Sequence, residues 1–189
     1  MIRAFVAIEI PTSLRESLER TMRRLQRLDL DARFSRPESL HLTLKFLGDI
    51  REDQVDAIGI ALAEAARVRD PFPISVAGLG AFPQLADPRV VWVGIDGGSP
   101  LEELQRAVET GLSDLGFAAD TRSFQPHLTL ARVKSRHNIA ALIHHLESER
   151  LGEPLGDFVA REVHLYRSVL RPDGARYTKL VSQQLINGG

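Results

Sequence analysis

The tetrapeptide His-Leu-Thr-Leu occurs twice in this chain, at 41–44 and again at 127–130. The repeat constrains the fold because a β-strand sends alternate side chains to opposite faces. In the first copy His41, Thr43 and Lys45 share one face, while Leu42, Leu44 and Phe46 share the other. In the second copy His127 and Thr129 lie opposite Leu128 and Leu130. Each copy reads as a strand with an apolar underside for a core and a His/Thr pair on top. Packing accounts for the leucines of such a duplication but gives no reason for the His/Thr face. Two similar halves, each giving one such strand, would make a pseudo-symmetric two-lobed protein. If the halves pack face to face, two histidines and two threonines meet in one cleft.

The rest of the chain fits alternating strands and about four helices. Residues 2–10 read as a strand, with Ala4, Val6, Ile8 and Ile10 on an apolar face and Arg3, Phe5, Ala7 and Glu9 on the other. Ser13 and Glu16 have capping-box spacing, and Leu14, Leu18, Met22 and Leu25 carry a helix to about Leu28. His41 to Leu47 is a strand closed by Gly48-Asp49, followed by a helix over roughly 51–69. Strands are expected at 74–78 and 89–95. A helix then starts at Ser99, with Pro100 at its first helical position and Gly116 as its stop. His127 to Val133 is strand-like, and a short helix covers 138–149. Two last strands, near 160–170 and 176–185, are joined by the turn Arg171-Pro172-Asp173-Gly174.

The chain has 189 residues, 43% of them hydrophobic, enough to bury a core unaided. It has no cysteine, which excludes disulfides, thiolate metal sites and a cysteine nucleophile. A formal net charge of −1 argues against a general nucleic-acid coat but leaves room for a local grip on one or two phosphates. Lysine occurs only at Lys45, Lys134 and Lys179, so arginine is the main cation, and it suits bidentate phosphate contacts. Arg3 and Glu9 interrupt the apolar N-terminus, which does not read as a signal peptide, and no stretch is apolar enough to span a bilayer. A cytoplasmic protein with no membrane partner is the expectation.

Two imidazoles in one cleft suggest a reaction. Opening a cyclic phosphodiester requires a water deprotonated on one side of phosphorus and an alkoxide protonated on the other. Histidine serves either role near neutrality because its ordinary pKa is about 6.5, and each positioned acid or base contributes about 10²–10⁴-fold. Threonine hydroxyls can donate to the non-bridging oxygens, where charge builds up. A metal site at these histidines would need a third ligand, and no His-Glu-x-x-His or comparable cluster is present.

His41-Leu42-Thr43-Leu44-Lys45-Phe46-Leu47-Gly48 and Phe124-Gln125-Pro126-His127-Leu128-Thr129-Leu130-Ala131-Arg132 closely resemble the two HxTx signature motifs of the 2H phosphoesterase superfamily. Within it the chain resembles the RNA 2′,3′-cyclic phosphodiesterases, historically called 2′-5′ RNA ligases. The opening Arg3–Pro11 segment and the late series Ser168, Leu170, Gly174 and Tyr177 are similar to the family as well. The resemblance implies an α+β fold across 1–189 as a single two-lobed domain: two lobes, each an antiparallel sheet with helices on its outer face, and the active-site cleft between them. It implies hydrolysis of an RNA 2′,3′-cyclic end to a 2′-phosphate, with His41 as general acid to the leaving 3′ oxygen and His127 as general base for water. Thr43, Thr129 and Arg132 would bind the phosphate. Alternation puts Arg132 on the leucine face, so a bulge or the strand's end must turn it to the cleft. No metal or cofactor is implied. The partner is an RNA or oligonucleotide with a cyclic phosphate end, the protein is expected to be a monomer, and 2′-5′ ligation is the secondary, reverse reaction. The alternatives are a 2H enzyme acting on another cyclic or 2′-5′-linked nucleotide and a non-catalytic module that binds RNA ends.

Other residues carry blander expectations. Phe46 and Phe124 could each stack on a base, but alternation favours the core for Phe46. Lys45 shares the face of His41, exposed as lysines usually are or there to favour phosphate. Arg122 could hold a nearby phosphate. His144 and His145 are expected in solvent on a helix, His137 in a loop, and His164 on a strand in a structural role. Tyr177 lines the cleft by resemblance only.

Overall fold

The computed structural model describes residues 1–186 apart from 68, 150, 151, 153, 172 and 173. In chain order the elements are β1 (Ile2–Glu9), α1 (Thr12–Gln26), β2 (Ala32–Phe34), β3 (His41–Ile50), α2 (Val55–Ala66), β4 (Phe72–Gln84) and β5 (Asp87–Asp96). Then follow α3 (Gly98–Ser113), β6 (His127–Val133), α4 (Ile139–Ser148), β7 (Gly156–Ala160), β8 (Glu162–Arg171) and β9 (Gly174–Gln184). Short 3₁₀ turns at Pro37–Ser39 and Glu52–Gln54 lead into β3 and α2.

The fold is α+β, with two antiparallel sheets and four helices. One sheet has the strand order β3-β1-β8-β9 and the other β2-β6-β5-β4-β7. The series β6-β5-β4-β7 repeats β3-β1-β8-β9 in space, with β2 added beyond β6. The lobes interlock. β4 follows β3 and α2 in the chain yet pairs with β5 in the other sheet, while β8 follows β6 and α4 yet pairs with β1. The helices are exchanged in part as well: α1, which follows β1, touches β7, and α3, which follows β5, touches β3 and α2. One buried apolar cluster accordingly includes Leu42 and Leu44 of one sheet and Leu128 and Leu130 of the other.

Helix boundaries differ from the sequence reading for local reasons. In α1, Leu14, Leu18, Met22 and Leu25 are buried as their spacing predicts. The helix starts one residue before Ser13, after Pro11, and no side chain caps it, so the capping box does not form. Pro100 is the third residue of α3 instead of the first; Asp96 Oδ1 accepts from Gly98 N–H at 2.9 Å and brings the chain into the helix early. β4 is far longer than the 74–78 expected, and β2 and β7 have no counterpart in the sequence reading. Pro172 and Asp173 of the expected last turn lie outside the described residues.

Bulges re-aim the two motif strands. Across β1 and β3, Ala7 pairs with Thr43 but Val6 pairs with Lys45, so Leu44 is the extra residue. Across β5 and β6, Trp92 pairs with Thr129 but Val91 pairs with Ala131, so Leu130 is the extra residue. The insertion falls at the fourth position of each motif and turns the following residues over. Lys45 is therefore buried at 1% exposure, whereas Phe46 is 65% exposed. Both expectations for these residues are corrected by this one device.

Candidate active site

The face of the first sheet opposite the main core carries a small apolar group of its own. Phe5, Ala7 and Tyr166 are buried there, with Tyr177 packed against them. His41 leans onto this group. Its ring lies 4.5 Å from that of Phe5 and meets Tyr177 edge-on at 5.0 Å. The second sheet presents a matching wall: His127 meets Phe82 edge-on at 4.9 Å, with Trp92 at 6.3 Å. Gly80 sits opposite Trp92 in the β4–β5 register, and any Cβ there would collide with the indole.

The two imidazoles are held in the same way. His41 Nδ1 lies 2.7 Å from the carbonyl oxygen of Ser39, and His127 Nδ1 lies 2.6 Å from that of Gln125. A carbonyl only accepts, so in each ring Nδ1 carries the proton and Nε2 bears the lone pair of the neutral form. In both motifs the anchor stands two residues before the histidine. Burial is the main cause that lowers the His41 pKa from 6.5 to about 4, opposed by the Ser39 bond and reinforced by the charge of His127. The His127 pKa is also lowered, first by burial, with Arg132 reinforcing and the Gln125 bond opposing. The strands that carry the two histidines, β3 and β6, touch each other.

Thr43 and Thr129 follow on the same faces and are half-buried. Among the described residues neither hydroxyl has a hydrogen-bond partner. The β6 bulge turns Arg132 out of the leucine face, and the residue is exposed opposite Val90 of β5. The structure thus carries His41 and Thr43 on β3 and His127, Thr129 and Arg132 on β6, two strands that touch each other. Among the described residues no group of three His, Cys, Asp or Glu side chains is gathered as metal ligands would be, and no helix is long and apolar enough to cross a membrane.

The other candidates separate. His164 is 1% exposed, with Nδ1 at 2.9 Å from Ser182 Oγ. His137 lies before α4 with Nε2 at 3.4 Å from Asp29 Oδ2. His144 is exposed as expected, but His145 is half-buried and its Nε2 is buried without a partner. Phe124 packs against the main core, and Arg122 is exposed. Sequence reasoning missed the aromatic walls. Phe5 was readable from the alternation of β1, which set it beside Arg3, Ala7 and Glu9. Phe82 and Tyr166 gave no signal, because only sheet pairing brings them to the histidines. Glu9, which pairs with His41 in register and receives the Lys179 Nζ hydrogen bond at 2.6 Å, was missed for the same reason.

The family model described as the 2′-5′ RNA ligase superfamily matches residues 14–171. The chain belongs to the 2′-5′ RNA ligase superfamily. It is 36% identical over 182 residues to a protein of Methanothermobacter thermautotrophicus named RNA 2′,3′-cyclic phosphodiesterase, covering 95% of this chain and 96% of that one. A protein of Archaeoglobus fulgidus with the same name is 36% identical over 180 residues, covering 95% of this chain and 98% of that one. Among solved structures, a protein of Thermus thermophilus superposes with a TM-score of 0.82 at 26% identity, covering 100% of both chains. E. coli LigT complexed with 3′-AMP superposes with a TM-score of 0.75 at 27% identity, covering 97% of this chain and 98% of that one.

Proposed function

We propose that this chain hydrolyses RNA 2′,3′-cyclic phosphate ends to 2′-phosphomonoesters, with His41 as general acid and His127 as general base. The observation that carries the reading is the matched pair of imidazoles. Each is fixed at Nδ1 by the carbonyl two residues before it, and each leaves Nε2 free to move a proton. Full-length relatives named for this activity support the choice of substrate.

The steps follow from the tautomers. Neutral His127 Nε2 takes a proton from water as its oxygen attacks phosphorus. The P–O3′ bond breaks, and the 3′ oxygen takes the Nε2 proton of His41. The product keeps its phosphate on O2′; His127 is left protonated, His41 is left neutral, and exchange with solvent resets both. Thr43, Thr129 and Arg132 hold the non-bridging oxygens, where preorganised donors act most strongly. His41 must begin protonated although burial disfavours that form. The negative charge of the bound phosphate supplies the missing stabilisation, since a nearby opposite charge favours the charged form of a titrating group. This chemistry assigns every proton transfer to a side chain, so turnover should persist in a chelator. Ligation of a cyclic end to a 5′-hydroxyl is the same step reversed, which water opposes.

Product identity tests the assignment of acid and base. Chromatography of the digest of a cyclic-ended oligonucleotide should show the 2′-phosphate alone; a 3′-phosphate would overturn it.

A further inference from the structure

β2 is the strand that breaks the pseudo-symmetry of the two sheets, and it brings an arginine to the cleft. Ser35, just beyond β2, donates its N–H to Leu130 O at 2.8 Å and its hydroxyl to Thr129 O at 2.6 Å, which pins the segment against the second motif. In the β2–β6 register Arg33 stands directly opposite Arg132, and both are exposed. Like charges directly opposite on neighbouring strands destabilise a sheet. Here their Cα atoms are about 5 Å apart, with no acid between them. Among the described residues, Arg3, Arg33 and Arg132 form no hydrogen bond or ion pair, whereas Arg20, Arg51, Arg67 and Arg136 all pair with carboxylates.

Arg33 also reaches across to the other lobe. A Cβ on Gly174, at the start of β9, would lie 3.8 Å from Arg33 Nη2. Tyr177, three residues on, meets His41 edge-on. Burial raises the Tyr177 pKa, and the charges of Arg132, Arg3 and Arg33 oppose that rise. Arg33 and Arg132 thus stand side by side on β2 and β6 at the edge of the reaction site, and the charge of Arg3 on β1 acts on the same tyrosine. A single scissile phosphate, already served by two threonines and Arg132, does not use them all. A polynucleotide strand offers a further negative charge one nucleotide away, and Arg is suited to grip it bidentately.

We propose that Arg33 binds the phosphodiester that precedes the terminal nucleotide, so that the cleft favours RNA chains ending in a cyclic phosphate over cyclic mononucleotides. The inference rests on the function proposed above and deepens it. The test compares the parent chain, Arg33→Gln and Arg33→Lys on 2′,3′-cyclic AMP and on a trinucleotide ending in the same group. Loss of one charge-assisted contact should raise the trinucleotide KM about tenfold in Arg33→Gln. The kcat on the trinucleotide and both constants on 2′,3′-cyclic AMP should stay within about twofold, and Arg33→Lys should recover part of the loss. The salt slope of log(kcat/KM) on the trinucleotide should weaken by about 0.7, the value for one single-strand contact. Equal losses on both substrates, or no loss on either, would overturn the subsite while leaving the hydrolytic reading intact. If the parent turns over neither substrate, the hydrolytic reading fails and takes this subsite with it.

Discussion

His41 and His127 have matching anchors and different surroundings. His41 lies among Phe5, Tyr166 and Tyr177, and burial there pushes it down to about 4. Unfolded, the same imidazole takes up its proton near 6.5. Between those values the unfolded chain binds more protons than the folded one, so stability falls as pH drops through that window and levels off for this group below about 4. His127, lowered in the same direction, adds to the slope. Thermal melts of the parent and His41→Asn between pH 7 and pH 4 check this: the variant should lose less stability over the window, and parallel curves would count against the burial argument. The acidic half of this behaviour was invisible in the sequence, where both histidines sit in identical tetrapeptides. The asymmetry comes from aromatic neighbours that strands β8 and β9 bring from more than a hundred residues away.

Among the elements, β3 and β6 carry the residues proposed for catalysis, and their bulges decide which side chains share a face with each histidine. Alternation read from the repeat located His41, Thr43, His127 and Thr129 on a common kind of face. It failed one step further along each strand, because an unpaired fourth residue leaves no compositional mark. Arg132 is the exception: its assumed role required a bulge or the strand's end, and a bulge is present. Neighbouring strands shape the pocket around these motifs. Gly80 lets Trp92 lie against β4 beside Phe82, with ring centroids 5.3 Å apart. Gly80→Ala should displace the indole from the wall behind His127. The expected result is a loss of about tenfold or more in kcat/KM, in line with the sensitivity of positioned groups to small displacements, with Trp92 fluorescence shifted toward that of a solvated indole. Unchanged fluorescence and unchanged kinetics would show that the glycine is incidental.

For the whole molecule, the question is what holds two sheets at a fixed separation. Exchange of β4 and β8 between the lobes does part of it. Lys45 does another part: its Nζ donates to Glu109 Oε1 at 2.6 Å and to Ala118 O at 2.8 Å. Glu109 Oε1 also accepts from Asp120 N–H at 3.0 Å. The bulge in the first motif thus sends a lysine through the core to α3 and to the segment that leads into the second motif. Removing one member of a buried pair leaves the other charge uncompensated, which costs about 3–5 kcal/mol. Glu109 keeps 19% exposure, so the low end of that range applies. Urea unfolding should find Lys45→Met destabilised by roughly 3 kcal/mol, with Lys45→Met/Glu109→Gln recovering part of the loss. A change below about 0.5 kcal/mol, the range of ordinary surface substitutions, would mean the contact is ornamental. The two-lobed plan was legible from the repeat and its flanking helices, and the α+β class with its two sheets from the resemblance to the 2H phosphoesterases. The strand exchange was not, because hydrophobic periodicity marks strands without naming their partners.

Everything proposed for the cleft depends on the paired imidazoles. The most direct measurement is hydrolysis of a 2′,3′-cyclic-phosphate-ended oligonucleotide in EDTA by the parent chain, His41→Ala and His127→Ala side by side. Turnover by the parent, with each variant slower by at least about 10²-fold, is the predicted result. Turnover that survives either substitution unchanged, or that vanishes in EDTA and returns with a divalent ion, would contradict it.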